Sequence, residues 1–311
     1  METIRLPGSD LVVSRLCIGG CPAGEHGWGN VSREEIHAAF HKAIDLSVNF
    51  FDTADVYGLG RSEETLGEVI RGCRSRVVVA TKFGVRVENG KTFYDNSPEW
   101  IETAVSRSLA HLKTDYIDLY QVHDLDGVTP IDELMDKLLS LKRHGRIRAI
   151  GLSNLAAKDV EKFVPYRKEI ASFQNHFSLA HRVDETFIRD TQKTLDAAPL
   201  TWGSLGQGIL TGKYSKDVAF TPDDRRSRAV YDNFYGEKLL KNLRIVDAMR
   251  PMAQKYGVPV SAVAVRWILD ALPASVVMTG VKSERQAEQN AQALSFRLTA
   301  EETAALEACS R

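Results

Sequence analysis

The chain has 311 residues, of which 43% are hydrophobic and 26% charged, values typical of a globular protein with a large core. Its 40 Lys and Arg residues nearly balance 41 Asp and Glu residues, and no basic block stands out. These features argue against nucleic acid or an anionic membrane as the main partner. The amino terminus has no apolar signal-peptide core, and no stretch approaches the roughly 20 apolar residues of a membrane span. We therefore expect a cytoplasmic protein.

The four cysteines, Cys17, Cys21, Cys73 and Cys309, have no CxxC spacing and are too few to stabilise a chain of this length through disulfides. The sequence around them does not suggest a zinc site. We predict reduced thiols and no bound metal.

Short β-branched or aromatic runs alternate with amphipathic segments along the chain. Residues 4–6 and 12–14 predict a hairpin, and eight candidate strands follow at 16–18, 48–51, 77–81, 116–120, 147–151, 171–174, 200–202 and 276–279. Helix starts are recognisable between them. Capping boxes are predicted at Ser32 with Glu35, Ser283 with Gln286 and Thr299 with Glu302, and an N-cap followed by proline at Ser97-Pro98.

Eight strands alternating with helices in about 300 residues predict an α/β protein whose parallel sheet closes into a (β/α)₈ TIM barrel. We expect one domain over residues 1–311, with the hairpin before the first barrel strand. The competing doubly wound sheet would carry a GxGxxG fingerprint, which residues 18–22 (IGGCP) do not match. The polar segment 215–236 is predicted to be a long functional loop at the carboxyl face of the barrel.

Four reactive side chains lie at or just after predicted strand ends. Asp52 ends the second strand, Tyr57 lies in the following loop, and Lys82 and His123 follow the third and fourth strands. Each residue alone is more often a turn, solvated or structural residue. Four together at one barrel mouth favour a site.

These residue types suit proton donation. A phenol has an ordinary pKa near 10, and an adjacent ammonium, held by a carboxylate, would lower it. Tyr57 would then act as an acid tuned by Lys82 and Asp52. His123 could donate a hydrogen bond to a substrate oxygen.

Several sequence blocks resemble the signature blocks of the aldo-keto reductase superfamily. They are FDTADVYG (51–58), VVVATKFG (77–84), QVHD (121–124) and the segments 150–154, 173–175, 206–214 and 280–290. The resemblance implies a (β/α)₈ barrel that reduces aldehydes and ketones with a nicotinamide cofactor, usually NADPH, and without a metal. It implies Tyr57 as the general acid, Asp52 and Lys82 as its partners, and His123 as the residue that orients the carbonyl.

The resemblance also implies a cofactor site. Ser153, Asn154 and Gln174 would contact the nicotinamide carboxamide, and Trp202 would stack where the family often has tyrosine. The small-residue segment after strand seven could approach a pyrophosphate; its site residues are Ser204, Leu205, Gly206, Gly208 and Lys213.

A second cofactor segment follows strand eight. Gly280 and Lys282 precede a predicted helix start, where exposed amides favour an anion. Lys282, together with Arg285, could hold the 2′-phosphate that separates NADP from NAD. Gln286, Gln289 and Asn290 resemble the family's adenine-contacting positions, although glutamate is commoner at Gln289. We therefore expect NADPH or NADP⁺, with NAD less favoured.

The substrate residues are assigned from aromatic character alone: Trp28, Tyr94, Tyr231 and Phe234 could line a pocket for a small carbonyl compound. Two alternatives to a reductase stay open. One is a cofactor-binding regulatory subunit without significant turnover, and the other uses Lys82 as a Schiff-base nucleophile. The physiological substrate, the reaction direction and the oligomeric state stay undetermined.

Overall fold

The computed structural model of the chain describes residues 1–25, 27–29 and 31–311. Eight parallel strands form a closed barrel and follow one another around it in chain order, which confirms the predicted (β/α)₈ fold. Most strands run one or two residues further toward the carboxyl end than predicted. They are β3 (Leu16–Gly19), β4 (Phe50–Asp52), β5 (Val78–Phe83), β8 (Ile117–Val122), β9 (Ile147–Ser153), β10 (Ile170–His176), β11 (Ala198–Trp202) and β12 (Val276–Gly280).

Helices surround the barrel. They are α1 (Arg33–Asp45), α2 (Arg61–Ile70), α3 (Pro98–Leu112), α4 (Ile131–Arg143), α5 (Val160–Phe163), α6 (Glu185–Leu195), α7 (Gly236–Tyr256), α8 (Val260–Ala271), α9 (Glu284–Ala291) and α10 (Ala300–Ser310). Within the described ranges, no helix is long and apolar enough to cross a membrane.

All four helices begin at the predicted N-cap residues, but only one of the three predicted capping boxes is complete. Ser97 accepts a hydrogen bond from the amide of Trp100 and begins α3, and Thr299 forms a full capping box. Ser32 accepts from the Glu35 amide, which is one half of the predicted box. The capping box predicted at Ser283 is wrong. There the side chain of Gln286 accepts from the amide of Lys282, and the Ser283 side chain makes no capping bond.

The amino-terminal hairpin closes one end of the barrel. Its strands β1 (Thr3–Arg5) and β2 (Val12–Ser14) pair antiparallel, one residue from the predicted position in β1. Leu6, Leu11 and Val13 pack into the cluster that fills the barrel interior, which includes Phe50 and Leu200. Because this end is filled with apolar side chains, the polar site lies at the carboxyl ends of the strands.

A second hairpin, which the sequence analysis did not predict, follows β5. Strands β6 (Val85–Glu88) and β7 (Lys91–Tyr94) pair antiparallel around Asn89 and Gly90, both with positive φ. An Asn-Gly pair between two short strands is a strong hairpin signal and could have been recognised. The segment 215–236 is a long loop as predicted, with short 3₁₀ turns at Arg225–Ser227 and Asp232–Phe234.

Candidate active site

A cavity of about 830 Å³ opens at the carboxyl end of the barrel and collects most of the residues expected there. Tyr57, Lys82 and His123 line it, whereas Asp52 lies beneath its floor, hydrogen-bonded to Lys82. Arg285, expected to act with Lys282, also lines the cavity. Among the expected cofactor residues, Gly206 is buried outside the lining. The others that line it are Ser153, Asn154, Gln174, Trp202, Ser204, Leu205, Gly208, Lys213, Gly280, Lys282, Gln286, Gln289 and Asn290.

A buried ion pair forms the cavity floor. Lys82 Nζ lies 2.5 Å from Asp52 Oδ1 and 3.0 Å from the Thr53 carbonyl oxygen, and both charged side chains are only 1% exposed. The other carboxylate oxygen accepts hydrogen bonds from Gln121 Nε2 at 2.9 Å and Gln174 Nε2 at 2.7 Å. Both charged groups of the pair are therefore hydrogen-bonded, as buried charges generally are.

Lys82 also faces the ring of Tyr57, with Nζ 5.2 Å from the ring centroid. Burial raises the pKa of Tyr57 above its ordinary value, and the Lys82 charge only partly opposes this rise. The expectation of a lowered phenol pKa is thus corrected, because removing a phenolate from water costs more than the ammonium returns.

The side chain of Lys82 stays protonated. Burial alone would lower the pKa of Lys82, but the charges of Asp52 and Tyr57 outweigh it and hold the pKa above its ordinary value. At neutral pH the floor of the cavity therefore presents a protonated amine beside a protonated phenol. A phenol in that state can donate its proton, and the ammonium is placed to stabilise the resulting phenolate.

His123 stands edge-on to Tyr57, with ring centroids 5.9 Å apart and an interplanar angle of 85°. It follows β8 directly. Burial, assisted by the Lys82 charge, lowers the pKa of His123 to about 3, so its imidazole is neutral at physiological pH. Its Nδ1 atom has no hydrogen-bond partner among the described residues. A neutral imidazole has one N–H donor and one acceptor nitrogen. It can therefore donate a hydrogen bond to a carbonyl oxygen and leave proton transfer to the Tyr57 phenol.

The turn that carries Tyr57 is held by close backbone packing. A Cβ atom placed on Gly24 would lie 2.8 Å from the nitrogen of Gly58 and from the carbonyl carbon of Tyr57. Beside this contact, Ser62 Oγ donates to the Gly20 carbonyl at 2.7 Å. The position of the phenol therefore depends on glycine at residue 24.

Trp202 presents its indole to the cavity from a stack of three rings. His176 lies parallel to it with centroids 4.3 Å apart, and His181 lies parallel to His176 at 3.8 Å. Gly203 has φ +66°, and a Cβ there would lie 2.5 Å from the His176 ring. Burial lowers the pKa of His176 to about 3, so the middle ring of the stack is neutral.

The opposite end of the cavity is cationic. Lys213, Arg226 and Lys282 line it. Burial, assisted by the charges of Arg226 and Lys213, lowers the pKa of Lys282 to about 8. Its Nζ donates to the carbonyl oxygen of Trp28. Three cations within range of one another, of which Arg226 pairs with Asp224, are suited to an anion with several charges.

The expected substrate residues fall into two groups. Trp28 and Tyr231 line the cavity and meet edge to face with centroids 6.2 Å apart. Tyr94 points away on the β6–β7 hairpin and is 53% exposed. Phe234 is 1% exposed and packs edge-on against Tyr214 at 5.2 Å. The structure does not bring Tyr94 and Phe234 to the cavity, because the hairpin turns outward and the Phe234 ring joins an aromatic core.

No role was predicted from the sequence for five residues at the site. Gln121 lies in a strand whose apolar pattern makes a buried amide unusual, and that exception was a usable signal. Arg225 and Arg226 lie in the long loop, where only the composition indicated a function. His176 and His181 carried no distinguishing pattern.

Comparison with known proteins gives a consistent result. The model of the Aldo/keto reductase family matches residues 15–311. Aldo-keto reductase YhdN of Bacillus subtilis is 32% identical, over 97% of this chain and 91% of the relative. The Schizosaccharomyces pombe protein named aldo-keto reductase yakc [NADP(+)] is 31% identical, over 90% and 84%. The Escherichia coli NADH-specific methylglyoxal reductase is 29% identical, over 96% and 95%.

Among solved structures, the glycerol dehydrogenase AKR11B4 from Gluconobacter oxydans superposes with a TM-score of 0.89. It is 34% identical, over 99% of this chain and 94% of that one. The chain belongs to the aldo/keto reductase family.

Proposed function

We propose that the chain is an oxidoreductase that reduces an aldehyde or ketone to an alcohol with NADPH, using Tyr57 as the general acid. The buried Lys82–Asp52 pair beside the Tyr57 ring is the observation that carries this proposal. A desolvated ammonium adjacent to a phenol stabilises the phenolate that remains when the phenol gives up its proton.

Each residue of the floor has a distinct part in the proposal. Tyr57 donates its proton to the carbonyl oxygen as that oxygen gains negative charge. Lys82 stabilises the phenolate, and Asp52 keeps Lys82 protonated and in place. His123, neutral and edge-on to Tyr57, hydrogen-bonds the carbonyl oxygen and orients it toward the phenol.

The shape and chemistry of the cavity fit a dinucleotide. The indole of Trp202 offers a flat face to the cavity, and its Nε1 atom has no hydrogen-bond partner among the described residues. The polar side chains of Ser153 and Asn154 line the same cavity. Gly208 has φ +106°, and a turn with small residues lets backbone amides approach a phosphate closely. When bound there, the nicotinamide supplies the hydride that carbonyl reduction requires.

The cationic end of the cavity favours NADPH over NADH. Lys213 and Arg226 act on Lys282 through their charges, and an additional 2′-phosphate would gain charge-assisted hydrogen bonds from the two ammonium groups. The named relatives differ in this respect, since one carries NADP(+) in its name and another is named NADH-specific. The preference of this chain therefore rests on its own three cations.

The test is a turnover screen of neutral and charged aldehydes and ketones, run with NADPH and NADH in parallel, on the wild type and Tyr57→Phe. We expect Tyr57→Phe to lower kcat by about 10²–10⁴-fold, the range for loss of a general acid, with the cofactor Kd nearly unchanged. Turnover by this variant close to the wild type would contradict the mechanism. Tight cofactor binding without turnover of any carbonyl by the wild type would instead favour a regulatory subunit.

A further inference from the structure

Several cations line the cavity, among them Lys213, Arg225, Arg226, Lys282 and Arg285. Burial, and after it the charges of Arg226 and Lys213, lower the pKa of Lys282. The charge of Arg225 acts on Cys21, where burial raises the pKa of the thiol and Arg225 partly opposes that rise.

Packing places Arg225 on the Trp28 side of the cavity, because its side chain lies against Gly27, the residue before Trp28. Trp28 Nε1 in turn donates to Cys21 Sγ at 3.3 Å. Cys21 is one of the groups that act on the Tyr57 phenol. A cation adjoining Cys21 and Trp28 lies beside the space that the carbonyl substrate would occupy.

The guanidinium of Arg225 has no protein partner among residues 1–25, 27–29 and 31–311. The neighbouring Arg226 donates hydrogen bonds to both carboxylate oxygens of Asp224, at 2.9 and 2.5 Å. The Asp224 carboxylate is therefore already paired. The Nε atom of Arg225 is buried without a hydrogen bond, although the side chain lines the cavity. The two residues outside the described ranges are a histidine and an asparagine, so neither can supply a carboxylate.

The stem of Arg225 is fixed in place. Its amide donates to the Gly27 carbonyl oxygen at 2.9 Å. Gly27 has φ +74°, and a Cβ atom there would lie 2.4 Å from Arg225 Cγ and 2.7 Å from Nε. The guanidinium is thus held against the loop that carries Trp28. A guanidinium that is held in place, partly buried and not paired with a carboxylate can form a bidentate interaction with an anion.

We propose that Arg225 binds an anionic group of the substrate, a carboxylate or a phosphate, so that the reductase prefers carbonyl compounds that carry such a group. This proposal rests on the proposed reductase function and names its substrate class. Trp28 and Tyr231 supply the aromatic walls between the anion and the carbonyl carbon. The substrate is accordingly a short compound with a carbonyl at one end and an anion at the other end.

The alternative position for the ligand anion is the cofactor. The cofactor competes for Arg225 because Lys282, proposed above for the 2′-phosphate, donates to the main-chain oxygen of Trp28 and so contacts the same loop. If Arg225 served the cofactor, its removal would weaken cofactor binding as well as turnover of every substrate. That difference separates the two roles.

The experiment compares matched substrates. Two pairs share the aldehyde and differ in charge: 4-oxobutanoate with its methyl ester, and glyceraldehyde 3-phosphate with glyceraldehyde. Each is assayed by kcat/KM with NADPH and with NADH in the wild type, Arg225→Gln and Arg225→Lys. Arg228→Gln is the matched control, since Arg228 is an exposed arginine of the same loop. The two pairs separate carboxylate from phosphate.

We expect the wild type to prefer at least one charged member by tenfold or more. Arg225→Gln should lower kcat/KM for that member by about 10- to 100-fold, the loss that follows from removing one charge-assisted contact, and leave the neutral member within about threefold. Arg225→Lys should recover part of the loss, and Arg228→Gln should match the wild type. The cofactor Kd should not change in any variant.

Two results would overturn the proposal. One is equal turnover of charged and neutral members by the wild type, and the other is an equal loss for both members in Arg225→Gln with a raised cofactor Kd. In either case the neutral members are still reduced, so the proposed reductase function stands. Absence of turnover for all four compounds with both cofactors would count against the reductase function itself.

Discussion

Gln174 Nε2 donates a hydrogen bond to Asp52 Oδ2 at 2.7 Å, and Gln121 Nε2 donates to the same oxygen at 2.9 Å. Two strands distant in sequence thus fix the carboxylate that holds Lys82. The family resemblance implied that Gln174 contacts the nicotinamide carboxamide. Because its amide nitrogen is engaged with Asp52, its oxygen is the atom left for that contact.

The two glutamines differ in one respect, since Gln174 lines the cavity and Gln121 does not. We expect Gln174→Met to raise the cofactor Kd by about 3- to 10-fold, as loss of one hydrogen bond predicts, and to lower kcat as well. Gln121→Met should lower kcat and leave the Kd unchanged. Fluorescence titration with NADPH and steady-state assays check both variants. An equal effect of both substitutions on the Kd would remove Gln174 from the cofactor site.

The buried histidine at the site should not titrate in the working range. Because burial and Lys82 hold the pKa of His123 near 3, the imidazole stays neutral from pH 5 to pH 8. We expect kcat to show no ionisation attributable to His123 across that interval. The check is a pH–rate profile of the wild type and His123→Gln. A step near pH 6 to 7 that disappears in the variant would show that His123 changes charge during turnover.

Lys282 should bind the 2′-phosphate only while it is charged. Its pKa of about 8 is lowered by burial and by two neighbouring cations, so the NADPH affinity of the wild type should fall as the pH rises through 8. NADH is the matched control because it lacks that phosphate. Lys282→Met should weaken NADPH binding by about 10- to 100-fold and NADH binding by less than about threefold. Equal loss for both cofactors would place Lys282 elsewhere in the cofactor site.

The positions of Asp52, Lys82, Tyr57 and His123 could be predicted because each depends on local strand ends, which apolar and β-branched runs reveal. The expected cofactor residues came from the resemblance of the sequence blocks to a family, and most of them line the same cavity. The partners of those residues could not be predicted. Gln121 and Gln174 meet Asp52 from 69 and 122 residues away, and only closure of the barrel brings them together.

Loop residues were predicted less well for a different reason. Tyr94 and Phe234 are aromatic residues near the site in sequence, but hairpin direction and aromatic packing decide where their rings point. The side chain of Arg225 is positioned by packing against Gly27, which lies in another loop. Such contacts depend on three-dimensional packing that no periodic pattern encodes.

The ring stack beneath Trp202 should make the fold sensitive to acid. His176 has a pKa near 3 in the folded chain and near 6.5 when unfolded, so the unfolded state gains protons first as the pH falls. Stability is therefore lost between about pH 6.5 and pH 3. His176→Phe keeps a flat ring in the stack and removes this loss. The difference in unfolding free energy between pH 7.5 and pH 5.0 should shrink by about 1–2 kcal/mol.

Urea unfolding at the two pH values measures this difference. His144→Phe, the same substitution at an exposed position, is the control and should leave the pH dependence as it is in the wild type. If both variants retain the full acid sensitivity, the neutral His176 is not its source.

The placement of Tyr57 depends on Gly24, which makes no direct contact with the chemistry. Gly24 has no left-handed backbone conformation, so alanine is allowed there by its φ angle. The added Cβ would nevertheless lie 2.8 Å from the backbone of Tyr57 and Gly58, and backbone at that distance must move. We expect Gly24→Ala to lower kcat/KM by about 10- to 100-fold, because a displacement near 1 Å is enough to misalign a proton donor.

Gly72→Ala is the control, since a Cβ there meets no atom within 4 Å, and it should leave kcat/KM unchanged. Steady-state kinetics of both variants, with thermal unfolding to confirm that they fold, decide the matter. Full activity in Gly24→Ala would mean that the turn can shift without moving the phenol, and the close packing would then have no part in positioning Tyr57.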